Sequence, residues 1–156
     1  MMRKQLFLTI ALLCFCFTAC NDDGIIVLDD FGTKKDTTKI HLLTGTEWRL
    51  VEFSDIEKNK LLEKFFGSCF TLYFIDSMAV NGRGISNKTV GYYYAEVSSM
   101  AFKFTMFQNA TLVGGYNNEE DLYIETMRKV ESFSLNDEEL KLFYNNKKDY
   151  LLFVRI

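Results

Sequence analysis

The chain predicts an α+β domain, an antiparallel sheet of about eight strands packed on one α-helix. Three observations carry that expectation. Phe and Tyr dominate an aromatic fraction of 15%, and such rings favour a pleated, half-buried surface. Proline is absent, while glycine- and asparagine-containing turn signals recur between short alternating runs. One late segment abandons the two-residue period for a helical stripe with its charges ordered end to end.

Residues 46–53 open the strand series, with Trp48, Leu50 and Glu52 expected on one face and Arg49, Val51 and Phe53 on the other. A short helix over 55–66 follows, its start marked by Ser54 and Glu57 as a capping box. Residues 68–75 alternate clearly, Phe70, Leu72 and Phe74 facing one way. Strands over 78–83, 91–97 and 101–107 come next, with Asn81-Gly82 and Ser98-Ser99 read as turns. The main helix then starts at an Asn118 cap, with Glu119, Glu120 and Asp121 in its first turn and Arg128 and Lys129 in its last. Leu122, Tyr123, Thr126, Met127 and Val130 form its apolar stripe, which must cover the mouth or a face of the sheet. Strands over 131–135, 140–144 and 150–154, joined at Asn136-Asp137 and Asn145-Asn146-Lys147, complete the set.

The N-terminus has a different character. Arg3 and Lys4 precede an apolar run from Leu6 to Phe17, then Thr18, Ala19, Cys20 and an abrupt acidic turn at Asp22 and Asp23. This resembles a bacterial lipoprotein signal peptide, with Phe17-Thr18-Ala19-Cys20 as the lipobox and Phe17 replacing the usual aliphatic residue. The resemblance implies removal of residues 1–19, lipidation of Cys20, for example by palmitate, and a tether over 20–42 before a domain at 43–156. It also implies lipid anchoring at the bacterial outer membrane, facing the periplasm or the cell surface. A single acyl chain holds a protein only marginally, each buried CH₂ adding roughly 0.8 kcal/mol, so durable mooring needs more than one. Within the polar tether, Ile25-Ile26-Val27-Leu28 is an apolar interruption suited to an edge strand or to the membrane.

Loss of Arg3 and Lys4 from 18 basic and 21 acidic residues leaves a formal charge of −5. An acidic domain without a basic stripe argues against nucleic acid as a partner. Of four cysteines, Cys14 and Cys16 leave with the signal and Cys20 takes lipid; Cys69 remains alone, so no intrachain disulfide is expected. Cys69 reads as an inert, half-buried strand thiol. His41 has neither a nucleophile nor companion ligands near it in sequence and reads as an ordinary solvated side chain. The acidic group Glu119, Glu120, Asp121 and Glu125 reads as helix-terminal charge plus a wet face. No glycine-rich phosphate loop is present, since Gly82 and Gly84 lead into no helix and Gly114-Gly115 has no lysine in register. We therefore expect no catalytic residues, no metal and no cofactor. The residues left for binding are aromatic and apolar: Tyr93, Phe102, Phe104, Leu122 and Met127 are expected to line a cleft beneath the helix.

Two motifs resemble a known family. Leu43-Thr44-Gly45-Thr46-Glu47-Trp48-Arg49-Leu50 is similar to the opening of the META/HslJ-like domain. Gly82, Asn87, Gly91 and Tyr93 match its G-x-x-G-C-N-x-x-x-G-x-Y segment, and Ala110-Thr111 its A-T-x-x-x-C segment. Ser86 and Gly115 stand where many members carry cysteines, a paired loss that fits two residues normally bonded to each other. The resemblance spans 43–156. It implies a strongly curved, partly barrel-like sheet packed on one helix, often found on lipoproteins, with no common catalytic activity. A lipocalin-like carrier also opens on Gly-x-Trp, but Gly45-Thr46-Glu47-Trp48 is one residue longer. The expected function is a non-catalytic envelope or surface lipoprotein binding a protein partner or small apolar ligand. An inhibitor or adaptor of an extracytoplasmic enzyme, acting through residues 108–117, is the alternative.

Overall fold

A computed structural model describes residues 43–113 and 117–156. The leader, Cys20, the tether with its apolar run at 25–28, and His41 lie outside the described residues. The element order is β1 (Glu47–Phe53), α1 (Ile56–Leu62) running into a 3-10 turn (Glu63–Phe65), β2 (Thr71–Phe74), β3 (Ala79–Arg83), β4 (Lys88–Glu96), β5 (Ala101–Asn109), α2 (Asn118–Arg128), β6 (Ser132–Leu135), β7 (Glu139–Tyr144) and β8 (Asp149–Arg155). Each strand pairs antiparallel with the next, and β8 returns to pair with β1. The sheet thus closes on itself and removes most of its own edges.

The ring is uneven. β4 and β5 share a ladder from Thr89↔Asn109 to Glu96↔Ala101, whereas β5 and β6 meet at the single pair Ala101↔Ser132. Helix α2 occupies the opening this leaves. Its Arg128 Nε donates to the Phe107 carbonyl at 2.8 Å, satisfying a β5 edge acceptor that β6 does not reach.

Bulges overrule simple alternation in two strands. In β1 the register against β8 shifts between Leu50 and Glu52, so Trp48 and Leu50 are followed inward by Phe53 rather than by Glu52. Phe53 was expected on the opposite face; one extra residue rotates it into the core. The second shift, where Tyr92 pairs Met106 and Tyr93 pairs Phe104, lets Phe102, Phe104 and Phe107 all point inward. Thr105, skipped by the ladder, donates its hydroxyl to the Tyr92 carbonyl at 3.2 Å.

Other local expectations shift for physical reasons. Asp55, not Ser54, caps α1, its carboxylate accepting from the Glu57 and Lys58 amides, while the Ser54 hydroxyl accepts from the Tyr150 amide. Asn117, not Asn118, caps α2 and accepts from the Glu120 amide. Asn81-Gly82 is no turn: both lie within β3, paired to Tyr73 and Leu72. Gly82 is there because a Cβ would sit 2.2 Å from the Thr71 carbonyl. Cys69 and Phe70 precede β2 and both are buried, because Phe70 adopts a left-handed φ of 58° that breaks the alternation. The predicted hairpins at 136–137 and 145–147 are present. Asn136 accepts from the Glu138 and Glu139 amides, and Asn145, Asn146 and Lys147 all take left-handed φ.

The strand order gives the ring two distinct ends. At the entry end, where the described chain begins, lie residues 43–46 and the turns at 75–78, 97–100 and 136–138. Gly45 N donates to the Phe74 carbonyl there at 2.7 Å. At the far end lie α1, the turn at 84–87, residues 110–113 and the turn at 145–148.

Candidate functional site

The ring's interior is aromatic. Tyr93 stacks on Phe102 with centroids 5.3 Å apart, Phe102 meets Phe104 edge-on at 5.0 Å, and Phe74 lies 5.1 Å from Tyr93. Aromatic pairs prefer these offset and edge contacts. Of the residues expected to line a cleft, Tyr93, Phe102, Phe104 and Met127 are buried in one core, and Leu122 is half-buried against it. All five belong to or pack against this one core, and Tyr93, Phe102 and Phe104 are in ring contact. Tyr93 also donates its hydroxyl to the Asp76 carbonyl at 2.7 Å, and burial pushes that phenol well above its ordinary pKa.

Helix α2 closes the interior from the far end. Tyr123 packs 4.6 Å from Phe70 and 5.9 Å from Phe107, and Tyr123, Ile124, Thr126 and Met127 are buried. The Tyr123 hydroxyl has no hydrogen-bond partner, and burial drives its pKa upward.

The same helix carries an arrangement the sequence reading missed. Glu120, expected on the wet first turn, is 1% exposed. Its Oε1 accepts from the Asn87 backbone amide at 3.1 Å, and its Oε2 from the Asn87 side-chain amide at 2.7 Å. Asn87 Oδ1 in turn accepts from Val113 N at 2.7 Å and from the Thr111 hydroxyl at 3.2 Å. Gly84 completes the enclosure, because a Cβ there would lie 1.9 Å from Glu120 Oε1. Helix α2, the β3–β4 turn and the segment after β5 are therefore held by one Asn–Glu knot. The local signal was present: Glu120 stands three residues after the Asn117 cap, where a capping-box glutamate would reach back along its own helix. Here it reaches across to Asn87 instead.

Polar groups also gather on the far-end surface around a pocket of about 390 Å³. Lys58 Nζ lies 3.0 Å from Asp55 Oδ2, 3.3 Å from the Tyr144 hydroxyl and 4.7 Å from the Tyr144 ring centroid. Its hydrogen bond to Lys58 holds Asp55 below the usual carboxylate range. Burial alone would lower the Lys58 pKa, but the bonds to Asp55 and Tyr144 outweigh it and raise it. These groups satisfy one another. Cys69 is buried with its Sγ 3.9 Å from the Ile85 carbonyl, the setting of a packing thiol rather than a nucleophile. The acidic residues of α2 are divided: Glu119 pairs with Lys64 at 3.3 Å and Glu120 is buried with Asn87. Among the described residues, no three His, Cys, Asp or Glu side chains cluster closely enough to hold a metal.

No protein-family model matches the chain. Over 135 residues it is 27% identical to a Tannerella forsythia protein named "Putative lipoprotein", covering 83% of this chain and 90% of that one. The crystal structure of a DUF4847 family protein from Bacteroides vulgatus superposes with a TM-score of 0.60 at 13% identity, covering 73% of this chain and 94% of that one. An NMR structure of a Burkholderia xenovorans protein gives 0.53 at 17% identity, covering 86% and 95%. At these identities the structural likenesses speak for the fold alone. The sequence likeness is to a bacterial lipoprotein.

Proposed function

We propose that the chain is a lipid-anchored bacterial envelope lipoprotein whose ring domain is a non-catalytic module for a protein partner. The observation that carries the reading is the coincidence of a lipobox ending at Cys20 with likeness to a lipoprotein over most of the chain. Outer-membrane residence and a META/HslJ-like ancestry are the finer form of the same reading, supported by the leader and by the motifs around Trp48 and Asn87. Binding through the surface is favoured over ligand capture inside. A guest among Tyr93, Phe102 and Phe104 would have to displace rings already packed on one another.

The far end offers the partner surface. Leu112 is 91% exposed, Val113 and Leu61 are exposed with it, and the Lys64–Glu119 ion pair ties the α1 side of this end to α2. Exposed apolar side chains on a segment bonded to Asn87 suit a protein contact better than a small polar ligand. An inhibitor or adaptor acting through residues 108–117 is the specific form this reading takes. Two measurements test it. The mature protein should carry acyl mass on Cys20 that Cys20→Ala removes together with membrane retention. A photocrosslinker at position 112 should capture an envelope protein in intact cells, and Val113→Asp should abolish that capture. Unlipidated protein, or a crosslinker that captures nothing, overturns the corresponding half.

A further inference from the structure

The entry end carries a second apolar surface, on the outside of the ring. Tyr73 on β2, Ile75 and Met78 in the β2–β3 turn and Tyr92 on β4 are all exposed, Met78 at 64% and Tyr92 at 55%. The register makes them neighbours. Tyr92 pairs with Ala79, whose carbonyl accepts from the Ile75 amide, and Tyr73 pairs with Asn81 two residues along β3. Asp76, the charge within this turn, is engaged locally: its carboxylate accepts from the Met78 and Ala79 amides at 2.7 Å. The patch is also where the preceding chain joins the domain, since Gly45 and Thr46 bond directly to Phe74, one residue before Ile75.

We propose that this face, Tyr73, Ile75, Met78 and Tyr92, rests on the lipid bilayer and orients the domain on the membrane. The inference rests on the lipoprotein reading above. A tether over 21–42 reaches at most about 75 Å when fully extended, so it confines the domain near the membrane without choosing which side faces it. The patch makes that choice. Tyrosine suits it because the ring enters the acyl boundary while its hydroxyl stays among headgroups, as in interfacial aromatic belts. Glu47 on β1 pairs with Tyr73, and Lys103 on β5 pairs with Tyr94, two residues along β4 from Tyr92, so the rim has both signs and fits zwitterionic headgroups better than strongly anionic ones. With the entry end down, the far end, with Leu112 and α1, points away from the membrane toward a partner.

The test uses the acylated mature protein in phosphatidylcholine vesicles with brominated acyl chains. An environment-sensitive dye is placed at Ser77→Cys in the β2–β3 turn or at Lys148→Cys in the far-end turn, both exposed positions. The dye at 77 should be quenched several-fold more than the dye at 148, and Met78→Ser with Tyr92→Ser should erase that difference while the protein still floats with the vesicles. Equal quenching of both dyes in a floating, acylated protein overturns the face assignment alone. A dye at 77 that shifts with protein concentration in the absence of vesicles assigns the patch to a second copy and overturns it too. Absence of acyl mass on Cys20 together with failure to float overturns the mooring itself and the face assignment with it.

Discussion

Both carboxylate oxygens of Glu120 on α2 accept hydrogen bonds from Asn87, one from its backbone amide and one from its side chain. The carboxylate is buried, and among the described residues it forms no ion pair, so these donors keep it in place. A buried carboxylate satisfied only by N–H groups is chemically specific, because an amide cannot replace it at both oxygens.

Glu120→Gln should therefore destabilise the domain by about 1–3 kcal/mol, since the new NH₂ would face an N–H donor. Gly84→Ala should cost at least as much, because its Cβ would overlap Glu120 Oε1. The double variant Gly84→Ala with Glu120→Ala should be less destabilised than the sum of its parts, the shorter side chain relieving the clash. Urea unfolding of the wild type, Gly84→Ala, Glu120→Ala and the double variant checks this. Strict additivity would remove the contact between the two positions as the cause.

Phe102 touches the rings of Phe74, Tyr93, Phe104 and Phe133. Phe102→Ala should cost about 3–5 kcal/mol, the usual range for a fully buried ring left as a cavity. Phe102→Leu should cost markedly less. Thermal unfolding by circular dichroism separates the two, and a loss below 1 kcal/mol for the alanine variant would mean the interior is not packed as described.

Two interior tyrosines should behave differently. Tyr93 donates to the Asp76 carbonyl, so Tyr93→Phe should lose about 0.5–1.5 kcal/mol. Tyr123 has no partner for its hydroxyl, so Tyr123→Phe should be neutral or stabilising at pH 7. A large loss from Tyr123→Phe would reveal a hydrogen bond to a buried water.

Both phenols are raised from the ordinary 10.0 by burial, the largest cause in each. A raised folded-state pKa leaves stability intact below the unfolded value and removes it as pH climbs from there through the folded value. The domain should hold its stability from neutral pH to about 10 and lose it steeply above. Tyr123→Phe should flatten that alkaline loss. Stability measured by denaturant titration at a series of alkaline pH values gives the slope, and identical slopes would sink the assignment to Tyr123.

Helix α1 should lose its start when its cap is removed. Asp55 accepts from the Glu57 and Lys58 amides and pairs with the Lys58 ammonium. Asp55→Ala should cost about 1 kcal/mol, whereas Ser54→Ala, which loses an acceptor for the Tyr150 amide, should act on β8 instead. Hydrogen exchange at the α1 and β8 amides distinguishes them, and protection lost in the same element for both variants would refute the separation.

Sequence alone determined the element list, because turn chemistry and side-chain period are local properties. Asn136 and the Asn145-Asn146-Lys147 run announced their hairpins, and the acidic first turn with Arg128 near the end announced α2. It also determined the character of the core, since aromatic residues this numerous leave water wherever the sheet can hide them.

Tertiary structure decided what alternation cannot encode. Phe53 and Phe107 turned inward because bulges opposite β8 and β4 each skip one residue, and a skipped residue reverses every face beyond it. Glu120 went inside because Asn87, 33 positions earlier, presents two donors where the helix arrives. Closure of the ring, too, depends on β8 finding β1 across the whole domain. Such choices rest on pairings between residues far apart in the chain, and a linear pattern records each partner without recording that they meet.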